Sequence, residues 1–403
     1  MKRIKIILIL LILFIPIYVN GLTYPDLDSK VVEIYDLDDG QILYEKDSNK
    51  QVSIASLTKI VTTIIAIENI KNLDKEITIT RDMMKTVSWE AAKAGLKTGD
   101  VVTYRDLLYA SMLASGADAT NSLAISSSGS IDNFVKKMND FVKKQGLKNT
   151  HFVNVTGLDI DGHYSSADDV RQILEYALKN KTFKTIYTTK NYTLSNGLKV
   201  KSSIVKYSGN NKIKIIGSKT GYTYDAGYCL STLNDINGHN IIILVLNARK
   251  INDKYYNVED TITLINFLNE NFKDEYLVKK NDLIKTLPVK LSKIDKYEIH
   301  ATKDVTKYLP SDYDHKNFKI KYEGLEELSY KNKKGNEIGT IKYYYKDKLI
   351  DSEKVIVNKE IKASFKKILK KYFYIPLIIL VISLLLVRRR NIRKRRRKRL
   401  KKR

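Results

Sequence analysis

The sequence predicts an α+β protein: an antiparallel sheet covered by helices, followed by a small all-β module and a C-terminal transmembrane helix. Three observations carry this expectation. Strand-like runs lie towards both ends of the stretch before Lys273, with helical periodicity between them. From about Leu277 the texture changes to short alternating segments separated by charged or glycine-containing turns. Near the end, a long apolar run is followed at once by a block of lysine and arginine.

The elements follow in chain order. Lys2, Arg3 and Lys5 precede the apolar run Ile6–Val19 and then Asn20-Gly21, which reads as an export signal over residues 1–21. Val19 and Gly21 fit the small-residue positions of a cleavage site only loosely, so an uncleaved anchor is the alternative. Lys30–Glu45 reads as a hairpin, Val31–Tyr35 and Gln41–Glu45 around Asp38-Asp39-Gly40. Ser56–Ile70 carries Ile60, Val61, Ile64, Ile65 and Ile67 and reads as a buried helix. Tyr104–Ser115 and Ile131–Gly146 also have helical spacing, the second ending on a glycine C-cap. Ser218–Leu233 and Asn240–Asn247 read as paired strands joined through Asn237-Gly238. Asn257–Phe272 is a helix with Val258, Ile262, Ile265 and Leu268 on one face.

The all-β module is expected over 277–360, with strands at Val289–Leu291, Tyr297–His300, Phe318–Tyr322, Thr340–Tyr345 and Lys354–Val357. Tyr372–Val387 is almost wholly apolar. With Ile368–Lys371, whose lysines can snorkel, it reaches about 20 residues, the span of a hydrocarbon core. A surface-lying helix is the other reading, but the run has no polar face. The tail, 388–403, holds 13 Lys/Arg and no acid. The positive-inside rule puts it in the cytoplasm and the body of the chain outside the cell.

The net charge of +26 suggests a nucleic-acid binder at first sight. Half of it sits in the tail, where it fixes topology and meets anionic lipid, so no nucleic-acid partner is expected. Cys229 is the sole cysteine, which excludes an intrachain disulfide, and its apolar-alternating surroundings suit a buried structural thiol. Five scattered histidines show no metal-ligand spacing, so neither a metal nor a cofactor is expected.

Chemistry enters at Ser56-Leu57-Thr58-Lys59. Serine and lysine three residues apart on a helix project from one face. A serine hydroxyl needs a base within hydrogen-bond reach, and a lysine can serve if burial and positive surroundings depress its pKa. Alone, the pattern also describes an N-cap serine beside a surface lysine. The second element, Ser115-Gly116, offers a hydroxyl that could relay protons to a leaving amine, or only a turn after a helix. In the third, Lys219-Thr220-Gly221, a lysine and a hydroxyl can hold a carboxylate. Gly221 leaves a strand edge where a peptide could lie alongside.

Their order and spacing, about 60 and then about 100 residues apart, form the trio known from β-lactamases and penicillin-binding proteins. The surroundings are narrower still. Ala55-Ser56-Leu57-Thr58-Lys59 resembles the nucleophile helix of the low-molecular-mass penicillin-binding proteins, the serine D-alanyl-D-alanine carboxypeptidases. Phe152–Leu158 with His163–Ala167 is similar to the loop between their second and third motifs, and Lys219–Thr223 running to Tyr228 is similar to their third-motif strand. Lys334-Gly335 and Ile338-Gly339 resemble parts of their C-terminal domain. The resemblance implies a penicillin-binding-protein-like catalytic domain over 22–273, a β-rich domain over 277–360, a membrane helix over 368–387 and a cytoplasmic tail over 388–403.

It also implies roles. Ser56 forms the acyl-enzyme with a peptidoglycan stem peptide ending in D-Ala-D-Ala, and Lys59 takes its proton. Ser115 assists the departing D-alanine. Lys219, Thr220 and Gly221 bind the substrate end, and Arg249, just past a strand, helps hold the carboxylate. Backbone N–H groups of Ser56 and near Tyr222 form the oxyanion hole. β-Lactams are expected to acylate Ser56. One position departs from the family: the second motif usually reads S-x-N, and here the third residue is Ala117, with Asn121 one turn along as a possible substitute. That departure keeps open a wall-binding scaffold with an impaired site. A β-lactamase is the other alternative on the same fold, and no glutamate suited to deacylation is identified in the sequence.

Overall fold

The structure, a computed structural model, describes residues 22–206 and 215–400. The expected export signal over 1–21 lies outside the described residues. Two compact units divide the chain, Met1–Lys273 and Asp274–Arg403.

The first unit is built on a five-stranded antiparallel sheet. Strand β1 (Val31–Asp36) pairs with β2 (Gln41–Lys46) as the expected hairpin. The other three strands are β3 (Ile215–Thr223), β4 (Gly227–Ile236) and β5 (His239–Ala248), giving the order β2-β1-β5-β4-β3. The segment Ser218–Leu233, expected as one strand, is therefore a hairpin in its own right. Thr223 closes its turn by accepting the Ala226 N–H on Oγ1 at 3.2 Å, a local device that alternation alone does not reveal. The sheet leaves β3 as an edge strand, which matters for the site.

Helix α1 (Thr58–Asn69) lies at the centre of the first unit, and every residue from Thr58 to Ala66 is buried. A helix buried along most of its length has to be surrounded, and α2 (Tyr104–Leu113), α3 (Ala117–Ser128), α4 (Ile131–Gln145) and α5 (Ala167–Leu178) pack against it. Lys59, the single cation in α1, is buried with it. Helix α4 faces the core through Phe134, Met138, Phe141 and Val142 and stops at Gly146, as its spacing predicts. The helices α3, α5 and α6 (Lys181–Thr188) went unrecognised in sequence; serine- and threonine-rich α3 has little apolar periodicity to give it away. Helix α7 (Tyr256–Asn271) covers the sheet against β4 and β5.

The second unit is strand-rich. Its pairings are β6 (Phe272–Val278), which begins at the unit boundary, with β9 (Val305–Pro310); β8 (Lys296–His300), β7 (Leu283–Lys290) and β11 (Leu328–Ser329); and β10 (Phe318–Gly324), β12 (Glu337–Tyr345) and β13 (Lys348–Ile356). The alternation read in the sequence is the burial pattern of β12, where Ile338, Ile341, Tyr343 and Tyr345 point to the core. Beyond it come α8 (Phe365–Tyr372) and α9 (Tyr374–Leu400). Every residue from Tyr374 to Val387 is exposed, so an unbroken apolar surface is left uncovered. This helix is long and apolar enough to cross a membrane.

Candidate active site

The nucleophile turn comes first. Ala55–Leu57 forms one turn of 3-10 helix that runs directly into α1. Ala55 holds φ at +48°, a left-handed conformation that costs a non-glycine residue about 1–2 kcal/mol. Two glycines grip this turn. A Cβ on Gly157 would fall 1.8 Å from the Ala55 carbonyl oxygen, and one on Gly221 would lie 3.0 Å from the Ser56 nitrogen. Gly157 leaves no room for a side chain and Gly221 leaves only a tight fit, so Ser56 is clamped between a loop and the edge strand β3.

Lys59 lies within hydrogen-bond reach of Ser56. Its Nζ donates to Ser56 Oγ at 2.8 Å and to the Thr156 carbonyl at 2.8 Å. Burial pushes its pKa down from 10.5 to about 7, while the charge of Asp118 pulls the other way. A lysine poised there can take up a proton at neutral pH.

Ser115 sits between α2 and α3 with φ at +58°, a second strained residue facing the same space. Lys219 on β3 donates to Ser115 Oγ at 2.9 Å and to the Thr220 carbonyl at 2.7 Å. Lys219 is buried, and both desolvation and the Lys59 cation drive its pKa well below the ordinary value. An incoming carboxylate would reverse that by supplying the missing counter-charge. Asp118, in the first turn of α3, accepts the N–H groups of Ala94, Gly95 and Leu96 at 2.8, 2.9 and 3.0 Å, and so fixes a loop beside the site.

Ser56, Lys59, Ser115, Thr220 and Gly221 line one cavity of about 830 Å³, roughly the size of small-ligand pockets. Thr220 Oγ1 is bonded at 2.5 Å to the hydroxyl of Ser203, which also lines the cavity. Lys219, though bonded to Ser115, is not among the lining residues. With Gly221 so near the Ser56 nitrogen, the two backbone stretches expected to hold an oxyanion lie side by side.

Two sequence expectations fare differently. Arg249 does not line the cavity: its Nε donates to Asp28 at 2.6 Å, its backbone N–H donates to the same carboxylate at 2.7 Å, and the side chain is exposed. Being next to the strand end in sequence does not place it over the site. Asn121 does not stand in for the missing motif asparagine, because its amide donates to the Thr86 carbonyl and hydroxyl at 2.9 and 3.0 Å. Ala117 is buried and donates its N–H to the Ala92 carbonyl at 2.7 Å. Ser203, the Thr156 carbonyl and the cradle at Gly157 escaped sequence reading. Asp118 left a faint signal as an acid at a helix start. Among the described residues, Asp36, Asp38 and His239 bring possible metal-ligand atoms within 4.8 Å of one another, away from this cavity. Asp36 and Asp38 there accept hydrogen bonds from the surrounding turns.

A serine bonded to a buried lysine, and a second serine bonded to a second buried lysine on a sheet edge, define an acyl-transfer enzyme working through a serine nucleophile. Comparison with known proteins narrows the class. Residues 19–250 match the D-alanyl-D-alanine carboxypeptidase family, and residues 272–363 match the C-terminal domain of penicillin-binding protein 5. The chain is 30% identical to the D-alanyl-D-alanine carboxypeptidase DacF of Bacillus subtilis, covering 85% of this chain and 89% of the relative. Penicillin-binding protein 5 of Haemophilus influenzae superposes with a TM-score of 0.62 at 26% identity, covering 85% of this chain and all of that one. The Streptomyces K15 DD-transpeptidase superposes at 0.55 with 30% identity, over 61% of this chain and 98% of that one. The chain belongs to the D-alanyl-D-alanine carboxypeptidase family, and is a serine peptidase of the low-molecular-mass penicillin-binding class.

Proposed function

We propose that this protein removes the terminal D-alanine from peptidoglycan stem peptides through an acyl-enzyme on Ser56, with water as the acceptor. The observation that carries the reading is the 2.8 Å contact between Lys59 Nζ and Ser56 Oγ, made by a lysine whose burial holds its pKa near 7. Ser56 Oγ attacks the carbonyl of the penultimate D-alanine while its proton passes to neutral Lys59. The carbonyl oxygen gathers charge against the N–H groups of Ser56 and Tyr222. The peptide C–N bond then breaks as Ser115 hands a proton to the leaving amine and is reprotonated by Lys59, which returns to its neutral form. Water, deprotonated by Lys59, hydrolyses the ester and frees Ser56. Lys219, Thr220 and Ser203 hold the terminal carboxylate, and Arg249 takes no part. β-Lactams, whose strained amide and carboxylate imitate the acyl-D-Ala-D-Ala end, react at the same serine.

In the layout that fits this work, residues 1–21 direct export, 22–273 form the catalytic domain and 277–360 the β-rich domain. The apolar helix anchors the chain at 368–387, with the catalytic domain outside the cell and the basic tail, 388–403, inside. The exposed apolar face of α9 and the charge of the tail support that topology. No nucleic acid and no metal enters the scheme.

Ala117 favours a second reading, a scaffold that holds wall peptides without turning them over, because no side-chain amide stands at the motif position. Release of D-alanine from a peptide ending in D-Ala-D-Ala separates the two. The carboxypeptidase reading predicts steady release by the wild-type chain and none by Ser56→Ala. A well-folded wild-type chain that binds the peptide and releases nothing would favour the scaffold.

A further inference from the structure

Behind the nucleophile lies a buried hydrogen-bond chain that the proposed mechanism does not use. His163, on the loop before α5, is buried with its ring edge-on to Phe152, centroids 5.5 Å apart. The Val153 N–H donates to its Nδ1 at 3.1 Å. That donor fixes the tautomer: Nδ1 must carry the lone pair, so Nε2 carries the proton. Nε2 lies 2.9 Å from Thr58 Oγ1, and Thr58 Oγ1 in turn lies 2.9 Å from the Ala55 carbonyl oxygen.

The direction of each bond follows. With Nε2 donating to the Thr58 oxygen, the one hydroxyl proton of Thr58 is left for the Ala55 carbonyl. Were the imidazole turned to the other tautomer, Thr58 would donate to the ring and the carbonyl would lose its side-chain donor. Ala55 is the residue with φ at +48° immediately before Ser56, so its conformation sets where Ser56 Oγ stands. Its carbonyl also receives the Thr58 N–H and lies under Gly157. Burial lowers the His163 pKa to about 4, which keeps the ring neutral and the relay intact near neutral pH.

We infer that His163 is a positioning residue for the nucleophile, acting through Thr58 to hold the Ala55 carbonyl and hence Ser56 in register with Lys59. The inference rests on the proposal that Ser56 is the acylated residue. It assigns a role to a loop histidine and to the third residue of the first motif, neither of which touches substrate.

The test uses the full-length chain in detergent with benzylpenicillin, separating the constant for the pre-covalent complex from the acylation rate. His163→Ala is expected to lower the acylation rate about tenfold with the pre-covalent constant unchanged, the effect of one lost positioning hydrogen bond. His163→Gln, whose amide can donate to Thr58, is expected to recover most of the rate. Thr58→Val, nearly the same shape without the hydroxyl, is expected to match His163→Ala, and the double variant to lose no more than either alone. Thr58→Val decides the matter should His163→Ala fail to fold. Wild-type acylation rates in Thr58→Val, or a His163→Ala loss that Gln does not restore, would overturn the inference. Absence of any adduct on the wild-type chain would instead overturn the assignment of Ser56, a distinguishable failure.

Discussion

In the proposed mechanism the titration of Lys59 governs how fast Ser56 is acylated, and its magnitude follows from burial. A solvated lysine at 10.5 would be neutral in roughly one molecule in 3,000 at pH 7. Lowered to about 7, it is neutral in about half of them. The drop corresponds to about 5 kcal/mol taken from the charged form by desolvation, at about 1.4 kcal/mol per pH unit. The sign is set by the role: a base must be neutral, so the reactive fraction grows as pH rises through about 7 and is lost below it. Between about pH 8 and pH 6 the acylation constant with benzylpenicillin should fall about tenfold, and by pH 5 about a hundredfold. Time-resolved intact-mass measurement of the penicillin adduct across that range provides the assay. A profile flat from about pH 5.5 to 8.5, or one rising only near the ordinary lysine pKa, would exclude Lys59 as the base.

Three further outcomes follow from particular contacts. Gly157→Ala should cut acylation more than tenfold and lower the melting temperature by several degrees, because its Cβ would meet the Ala55 carbonyl at 1.8 Å and φ is +88° there; calorimetry and the adduct assay check both. Asp118→Asn should destabilise the chain by about 3 kcal/mol in a denaturant titration, since the amide nitrogen would face either the Gly95 and Leu96 N–H groups held by one carboxylate oxygen or the Ala94 and Ala119 N–H groups held by the other. Arg249→Ala should leave acylation within about twofold of wild type, as its guanidinium is turned to Asp28 on the surface. A tenfold loss in that variant would restore Arg249 as a carboxylate ligand.

Much of the site was legible because its signals are local. Ser56 and Lys59 share one helical turn, and the isoleucine-rich spacing of α1 already marks a helix that packs into a core. The long apolar helix and the alternation of β12 were legible for the same reason, a period written into neighbouring residues. What stayed hidden depends on contacts between distant segments. Ser203 meets Thr220 only once the strand edge is built, and nothing in its own neighbourhood marks it. Gly157 is readable as a glycine in a loop, yet its reason lies with Ala55 across the fold. Arg249 shows the same dependence: sequence distance from a strand end does not say where a long side chain finds its counter-charge, and Asp28 sits 221 residues away. The hairpin within Ser218–Leu233 was missed because apolar alternation continues through a turn that Thr223 closes by a side-chain bond.

In the proposed mechanism Ser56, activated by Lys59, is the residue that becomes acylated. The most direct test is intact-protein mass spectrometry of the full-length chain after exposure to benzylpenicillin, with peptide mapping of the adduct and Ser56→Ala in parallel. One adduct of penicillin mass per chain is expected, located on the peptide containing Ser56 and absent from the variant. An adduct that persists in Ser56→Ala, or a well-folded wild-type chain that takes up none, would contradict it.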